Sequence, residues 1–265
     1  MIRLVVVVLI SGCATVRHAE PLVLGETFTL ESRVLREPRR INVYRPPAAE
    51  DGKLPVLFVL DGGAQEDFPH LAGLVQVLVA NGGMRPFLVV GIENTQRRRD
   101  LTGPTDVAAD RAIAPVVGGS AQFRAFLRDE LLPEVARRYQ TTGETALVGE
   151  SLAGLFVVET FFLEPALFDT YVAVEPSLGW NGRALINSAP AKLAAWPQLE
   201  RTLFLAGANA EGNGALVGEL AKVLETSAPP RVHWTHAPFP EESHGTVFHP
   251  AALRAFRTVF TSTPR

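Results

Sequence analysis

A side chain that attacks an ester carbonyl needs three things: a backbone that thrusts it outward, a base within reach, and hydrogen-bond donors for the charge that develops on oxygen. Ser151 has the sequence setting for the first. It follows the apolar run Ala146-Leu147-Val148 and lies in Gly149-Glu150-Ser151-Leu152-Ala153-Gly154, which leads directly into a helix-length segment. A strand-to-helix elbow forces such a serine outward and needs small neighbours to pack. Gly149 is one, but Ala153 stands where the full G-x-S-x-G pattern has its second glycine. Gly118-Gly119-Ser120 also reads G-x-S, yet Ser120 opens an amphipathic segment and reads as a helix N-cap. An ordinary turn serine is the plain alternative for Ser151, and the buried strand before it favours the nucleophile.

Of six histidines, His244 is the candidate base, because Glu242-Ser243-His244-Gly245-Thr246 falls between the last strand and the last helix. The others read as bland: His249 as a cap of the final helix, His18 and His70 as solvent-facing. His233 and His236, three apart on a strand, point to opposite faces and cannot share a metal. No cluster has metal-ligand spacing, so neither a metal nor another cofactor is expected. The chain order serine, acid, histidine puts the third member after the penultimate strand, where Glu211 is the only carboxylate of Gly207-Ala208-Asn209-Ala210-Glu211-Gly212-Asn213. Glu175, after the preceding strand, competes with it, and a Ser–His dyad is a third arrangement. The oxyanion donors expected are the amide of Leu152, directly after the serine, and the amide of Gly63 in Asp61-Gly62-Gly63-Ala64.

The elements that must position these residues follow from hydrophobic patterning. Phe28, Leu30 and Val34 alternate with polar residues, a turn is expected at Glu37-Pro38, and Ile41 and Val43 alternate again, which reads as an antiparallel hairpin. Six mostly continuous apolar runs follow, at 55–60, 86–92, 145–149, 170–174, 202–206 and 230–235, the pattern of strands buried on both faces. Helix-length segments lie between them at 68–80, 121–139, 152–163, 183–195 and 214–226, with a last one at 250–260. The expectation is an α/β fold: an eight-stranded, mostly parallel sheet with an N-terminal antiparallel hairpin and helices on both faces. The short connection between Val174 and Thr202 leaves no room for a large lid. Residues 93–119 form one long irregular connection carrying Arg97-Arg98-Arg99. It starts at the carboxyl end of a strand, where open α/β sheets bind ligands. Arg99 is the candidate substrate contact for an acidic or catecholate group, although solvated surface charge is the commoner fate of such a run.

The bulk properties exclude other classes. The chain has 265 residues, is 47% hydrophobic and 20% charged, and carries a net charge of −3, which excludes disorder and gives no electrostatic basis for nucleic acid as a partner. One cysteine excludes an internal disulfide and a thiolate metal site. The apolar run Leu4 to Ile10 is too short to span a bilayer, which takes about 20 residues. It fits the core of a secretory signal, and Ile10-Ser11-Gly12-Cys13 resembles a bacterial lipoprotein box. The reading is a signal peptide over 1–12, a tether over 13–21 and a single domain over 22–265. Cys13 would carry lipid and anchor an exported, periplasmic or cell-envelope protein to a membrane.

Five ordered blocks add a resemblance. They are Leu57-Phe58-Val59-Leu60-Asp61-Gly62-Gly63; Val90-Gly91-Ile92-Glu93-Asn94-Thr95 with Arg99-Asp100-Leu101-Thr102; Val148 through Phe156; Phe168-Asp169-Thr170-Tyr171 with Pro176-Ser177-Leu178; and His244-Gly245. Together they resemble the putative-esterase family of α/β-hydrolases, most closely its trilactone-siderophore-esterase-like branch. The resemblance implies an α/β-hydrolase fold and serine-dependent cleavage of small carboxylic esters, with Ser151 as nucleophile and His244 as base. Glu150 and Ala153 depart from the histidine and glycine usual in that family, and Glu175 from a common serine. An acyltransferase or a peptidase with the same machinery, and a degraded binding lipoprotein, are the rival readings.

Overall fold

The computed structural model describes residues 20–47, 52–209 and 212–261. The leader, Cys13 and Glu211 lie outside the described residues. Eight strands form one sheet: β1 Glu26–Ser32, β2 Glu37–Tyr44, β3 Leu54–Val59, β4 Leu88–Ile92, β5 Thr141–Glu150, β6 Thr170–Val174, β7 Arg201–Gly207 and β8 Val232–Pro238, in the order β1-β2-β4-β3-β5-β6-β7-β8. β1 and β2 are antiparallel, β2 pairs antiparallel with β4, and every later pairing is parallel.

The hairpin turn falls at 33–36, earlier than expected, with Arg36 at φ 56°, and Glu37 and Pro38 open β2 opposite Ser32 and Glu31. Pro38 is tolerated there because β4 joins β2 only from Ile41 onward, so the missing N–H costs no bond on that side.

Strand alternation divides the core. Leu147, Ala173 and Leu203 face a cluster completed by Phe123, Phe126, Phe156, Leu193 and Val217, whereas Ala146, Val148, Val172 and Phe204 face Leu71, Val75, Ala252 and Phe256. The second face is covered by α1 Phe68–Ala80 and α9 Phe248–Val259. The first is covered by α4 Ser120–Phe126, α5 Leu132–Arg138, α6 Leu152–Leu163, α7 Trp180–Ala194 and α8 Gly212–Ser227. A π-helical turn, Leu127–Leu131, separates α4 from α5. Pro133 follows it and has no N–H to continue the α pattern, which accounts for the widened turn.

Ser120 is the first residue of α4 rather than its cap. It is fully buried and its hydroxyl donates to Glu159 Oε1 at 2.9 Å, so a partner on α6 has outcompeted the local capping bond. His249 lies inside α9, paired with His70 at 2.8 Å between ring nitrogens, so neither ring is simply solvated. Residues 181–183 within α7 have positive φ, so its regular part begins at Ala184. The β6–β7 connection holds α7 and no inserted layer.

The 93–119 connection contains two single-turn helices, α2 Arg97–Asp100 and α3 Ala108–Arg111. It is stitched down: the Gly119 amide donates to Arg99 O at 2.7 Å, Ser120 to Thr102 O at 3.0 Å, and Trp180 Nε1 to Gly103 O at 2.9 Å. Beneath it Arg39, 1% exposed, pairs with Asp100 and with Glu37 at 2.6 Å. No helix among the described residues is long and apolar enough to cross a membrane.

Candidate active site

Ser151 sits between β5 and α6 at φ 59° and ψ −118°, a conformation that L residues adopt only under constraint. The constraint is visible. Its amide donates to Val174 O at 3.0 Å on the neighbouring strand, and its carbonyl accepts from Leu155 at 2.8 Å and Ser177 at 3.0 Å. A Cβ added at Gly149 would stand 2.7 Å from both the carbonyl carbon and the Cβ of Ala153. One added at Gly154 would stand 2.8 Å from Val174 O. The elbow therefore tolerates alanine at 153 because the close approach to β6 occurs one residue later, at Gly154.

Ser151 shares a cavity of about 520 Å³ with Glu175, Ser177, Asn209, Gly212, Asn213 and His244. The Ser177 hydroxyl is 3.4 Å from Ser151 Oγ. Glu175, only 3% exposed and at φ 44°, accepts the Ala208 amide at 2.6 Å on Oε2, which ties the ends of β6 and β7 together. His244 is exposed on the loop after β8 and lines a second cavity of about 370 Å³ with Asp67, His70, Glu150 and His249. The structure thus brings Ser151, His244 and Glu175 to one cleft. Among the described residues no group of three or more His, Cys, Asp or Glu side chains is arranged to hold a metal.

Facing the elbow is the loop after β3. Gly62 must be glycine, since a Cβ would meet Ile92 N at 2.2 Å. Its carbonyl accepts from Asn42 Nδ2 at 2.9 Å, which fixes the peptide leading into Gly63. The Gly63 amide is not open to solvent: it donates to Glu66 Oε2 at 2.7 Å, while the Glu66 amide donates back to Gly63 O at 3.0 Å. The Glu66-to-Gly63 backbone bond closes a four-residue turn, and the Glu66 side chain folds back over it to the Gly63 amide. The Leu152 amide, first of α6, has no carbonyl four residues back in its own helix to bond.

Acids crowd this end of the sheet. Burial pushes the Glu150 carboxyl up to about 7, with Asp67 adding and Arg97 opposing. Burial likewise pushes Asp67 up to about 6, reinforced by Asp61 and Glu66. His70 is lowered by burial and by His249. Asp67 and Glu150 therefore retain protons into a pH range where surface carboxyls have lost theirs.

Arg99 is not in the Ser151 cleft. Its guanidinium is held by Glu37, at 2.7 and 3.1 Å, and by Asp100 at 2.6 Å. The adjacent Arg98 is exposed and makes no ion pair among the described residues; all three arginines, with Gln96, Ala114, Pro115 and Val116, line a separate cavity of about 390 Å³ that shares no residue with the Ser151 cleft. Sequence reasoning did not single out Asn209 or Asn213 in the cleft, nor Asp67 beside His244. Ser177 was within reach, since Pro176-Ser177-Leu178 is one of the matched blocks.

Known proteins agree with this architecture. A family model described as "Putative esterase" matches residues 32–213. The chain is 33% identical to the siderophore triacetylfusarinine C esterase of Aspergillus fumigatus over 192 residues, 64% of this chain and 62% of that one. It is 32% identical to the ferri-bacillibactin esterase BesA of Bacillus subtilis over 152 residues, 51% of this chain and 50% of the relative. The matched stretch thus spans only half to under two thirds of these relatives' own lengths. Among solved structures, an IroE-like serine hydrolase from Shewanella oneidensis superposes with a TM-score of 0.80 at 27% identity, covering 89% of this chain and 80% of that one. The strand order, the elbow serine and the family match over 32–213 place this chain in the putative-esterase family, on an α/β-hydrolase fold.

Proposed function

We propose that the protein hydrolyses carboxylic esters through an acyl-enzyme formed on Ser151. One observation carries this reading: a serine held at φ 59° on a strand-to-helix elbow, opening into a cavity that His244 also lines. His244 takes the hydroxyl proton as Oγ attacks the carbonyl, then returns it to the leaving alcohol, and water repeats the cycle to release the acid. The Leu152 amide holds the oxyanion at the start of α6. The Gly63 amide joins it when the substrate oxygen displaces the Glu66 carboxylate, one anionic acceptor replacing another. The acid that orients His244 is Glu211 or Glu175, with a Ser–His dyad as the third arrangement. Glu175 is supported by its place in the same cavity, and Glu211 by the chain order serine, acid, histidine.

The substrates we propose are siderophore esters or other small esters of aromatic or hydroxy acids. The named activities of the relatives support this class. Export and lipid anchoring through Cys13 remain part of the proposal, on the strength of the Ile10-Ser11-Gly12-Cys13 box.

Ser151→Ala is expected to abolish turnover of a short-chain p-nitrophenyl ester without loss of folding. Retained activity in that variant would overturn the serine mechanism. A panel including a ferric trilactone siderophore and feruloyl esters identifies the acyl group. For the acid, Glu175→Gln and Glu211→Gln are compared: the true partner costs up to about 10⁴ in kcat, as loss of a triad acid does.

A further inference from the structure

Arg97 belongs to neither the triad nor the oxyanion donors, yet its guanidinium touches the segments that carry both. Its Nε and Nη2 donate to Asp61 Oδ1 and Oδ2, each at 2.7 Å, a fork that engages both carboxylate oxygens. Nη2 also reaches the carbonyl of Glu150, the residue before Ser151, at 3.4 Å. Asp61 opens the Gly62-Gly63 loop at φ 53°, and its Oδ1 accepts a further bond from Asn94 Nδ2 at 2.5 Å. β3 and β5 are neighbours in parallel register, Val59 opposite Val148, so the sheet fixes where the two strands end. One residue past β3 the Leu60 amide still donates to Val148 O at 3.1 Å, and after that bond no backbone hydrogen bond joins the two segments among the described residues. The Arg97 guanidinium bridges that gap. Burial opposes its charge, but the bonds and charge of Asp61 outweigh burial, and its pKa is raised.

We infer that Arg97 is a positioning residue whose guanidinium ties the Asp61–Gly63 loop to the Ser151 elbow, setting the distance between the oxyanion donors and the nucleophile. The inference rests on the serine-esterase reading. Only arginine has the planar fork for it: a lysine in the same place keeps the charge but cannot engage both oxygens of Asp61 and the Glu150 carbonyl together. Because the clamp acts on the reacting groups and not on substrate binding, its loss falls on kcat.

Three variants test it, with a short-chain p-nitrophenyl ester as substrate. Arg97→Lys is expected to lower kcat by about 100-fold, the cost of a misplacement near 1 Å, with KM within about threefold. Labelling of Ser151 by a fluorophosphonate should slow in parallel, since that adduct uses the same oxyanion donors. Arg97→Ala is expected to regain part of its kcat with added methylguanidinium but not with sodium chloride of equal ionic strength. Asp61→Asn breaks the same clamp from the other side, so Arg97→Lys and Asp61→Asn should be strongly non-additive in kcat. Should Arg97→Lys fail to fold, the Asp61→Asn variant alone must show the kcat-specific loss. Wild-type kcat in either variant, additive losses, or a loss confined to KM overturns the inference. Ser151→Ala separates the two claims: activity in that variant removes the mechanism on which the inference rests, whereas an inactive Ser151→Ala with unimpaired Arg97→Lys removes the inference alone.

Discussion

The Glu66 carboxylate and the Gly63 amide are hydrogen-bonded at 2.7 Å, so the amide proposed as an oxyanion donor already holds an anion of its own chain. The same Glu66 carboxylate accepts from Asn94 Nδ2 at 2.9 Å, which keeps it in place over the loop. On the proposed mechanism a substrate would compete with this internal acceptor at every turnover.

Weakening that competitor should speed the reaction. Glu66→Gln replaces a charged acceptor by a neutral one, and a weakening of ~1 kcal/mol corresponds to a rise in kcat/KM of about fivefold. The measurement is kcat/KM on a short-chain p-nitrophenyl ester. An unchanged or lower value would show that Gly63 is not a donor in the transition state.

Glu150 gives a pH dependence of stability with a definite sign. Its carboxyl rises from 4.5 to about 7 on folding, and Asp67 rises from 3.8 to about 6. The folded chain holds protons that the unfolded chain has released, so these groups make stability fall as pH rises from roughly 4 to roughly 7. Glu150→Gln should therefore stabilise the protein by ~1 kcal/mol near pH 8, allowing for solvent screening, and give no gain near pH 4. Urea unfolding at the two pH values checks this, and equal gains at both would refute the assigned shift.

Gly149 should resist even one methyl group. Its added Cβ would stand 2.7 Å from Ala153 Cβ, and also 2.7 Å from the Ala153 carbonyl carbon. Gly149→Ala is expected to cost ~2 kcal/mol by overpacking and to lower kcat by moving Ser151. Pairing it with Ala153→Gly should recover part of the loss, since the backbone carbon remains in the way. Thermal unfolding of the three variants is the check, and a fully stable Gly149→Ala would mean that the elbow is looser than its contacts indicate.

Cys13→Ser tests the proposed anchor. In a bacterial host the full-length chain should move from the membrane fraction to the soluble fraction, because a lipid chain and not a spanning helix would hold it. Membrane association that survives the substitution would refute lipidation at Cys13.

The strand layout was legible because buried strands read as unbroken apolar runs: 170–174 was expected and β6 spans Thr170–Val174. The elbow was legible from Gly149 and Ser151 after such a strand. Other features depend on side chains distant in sequence. Ser120 looks like a cap until Glu159, 39 residues away, supplies a buried acceptor. The three consecutive arginines look equivalent, yet Arg97 meets Asp61, Arg99 meets Glu37 and Asp100, and Arg98 meets no acid among the described residues. Local sequence carries charge and period, whereas partner choice is decided by which strand ends the sheet order makes adjacent. That order, with β4 between β2 and β3, was not among the expectations.

The stitched 93–119 connection bears on how soon the proposed reaction could begin. Besides the Gly119, Ser120 and Trp180 bonds, the Asn181 amide donates to Asp110 Oδ2 at 2.7 Å, so the connection is braced against α7 as well as against its own base. A connection secured at that many points would not need to rearrange before a substrate enters. Pre-steady-state traces should then show acylation beginning on mixing, without a lag for rearrangement. Bulky esters would be turned away by a wall that does not yield, so selectivity would reside in the shape of the empty cleft.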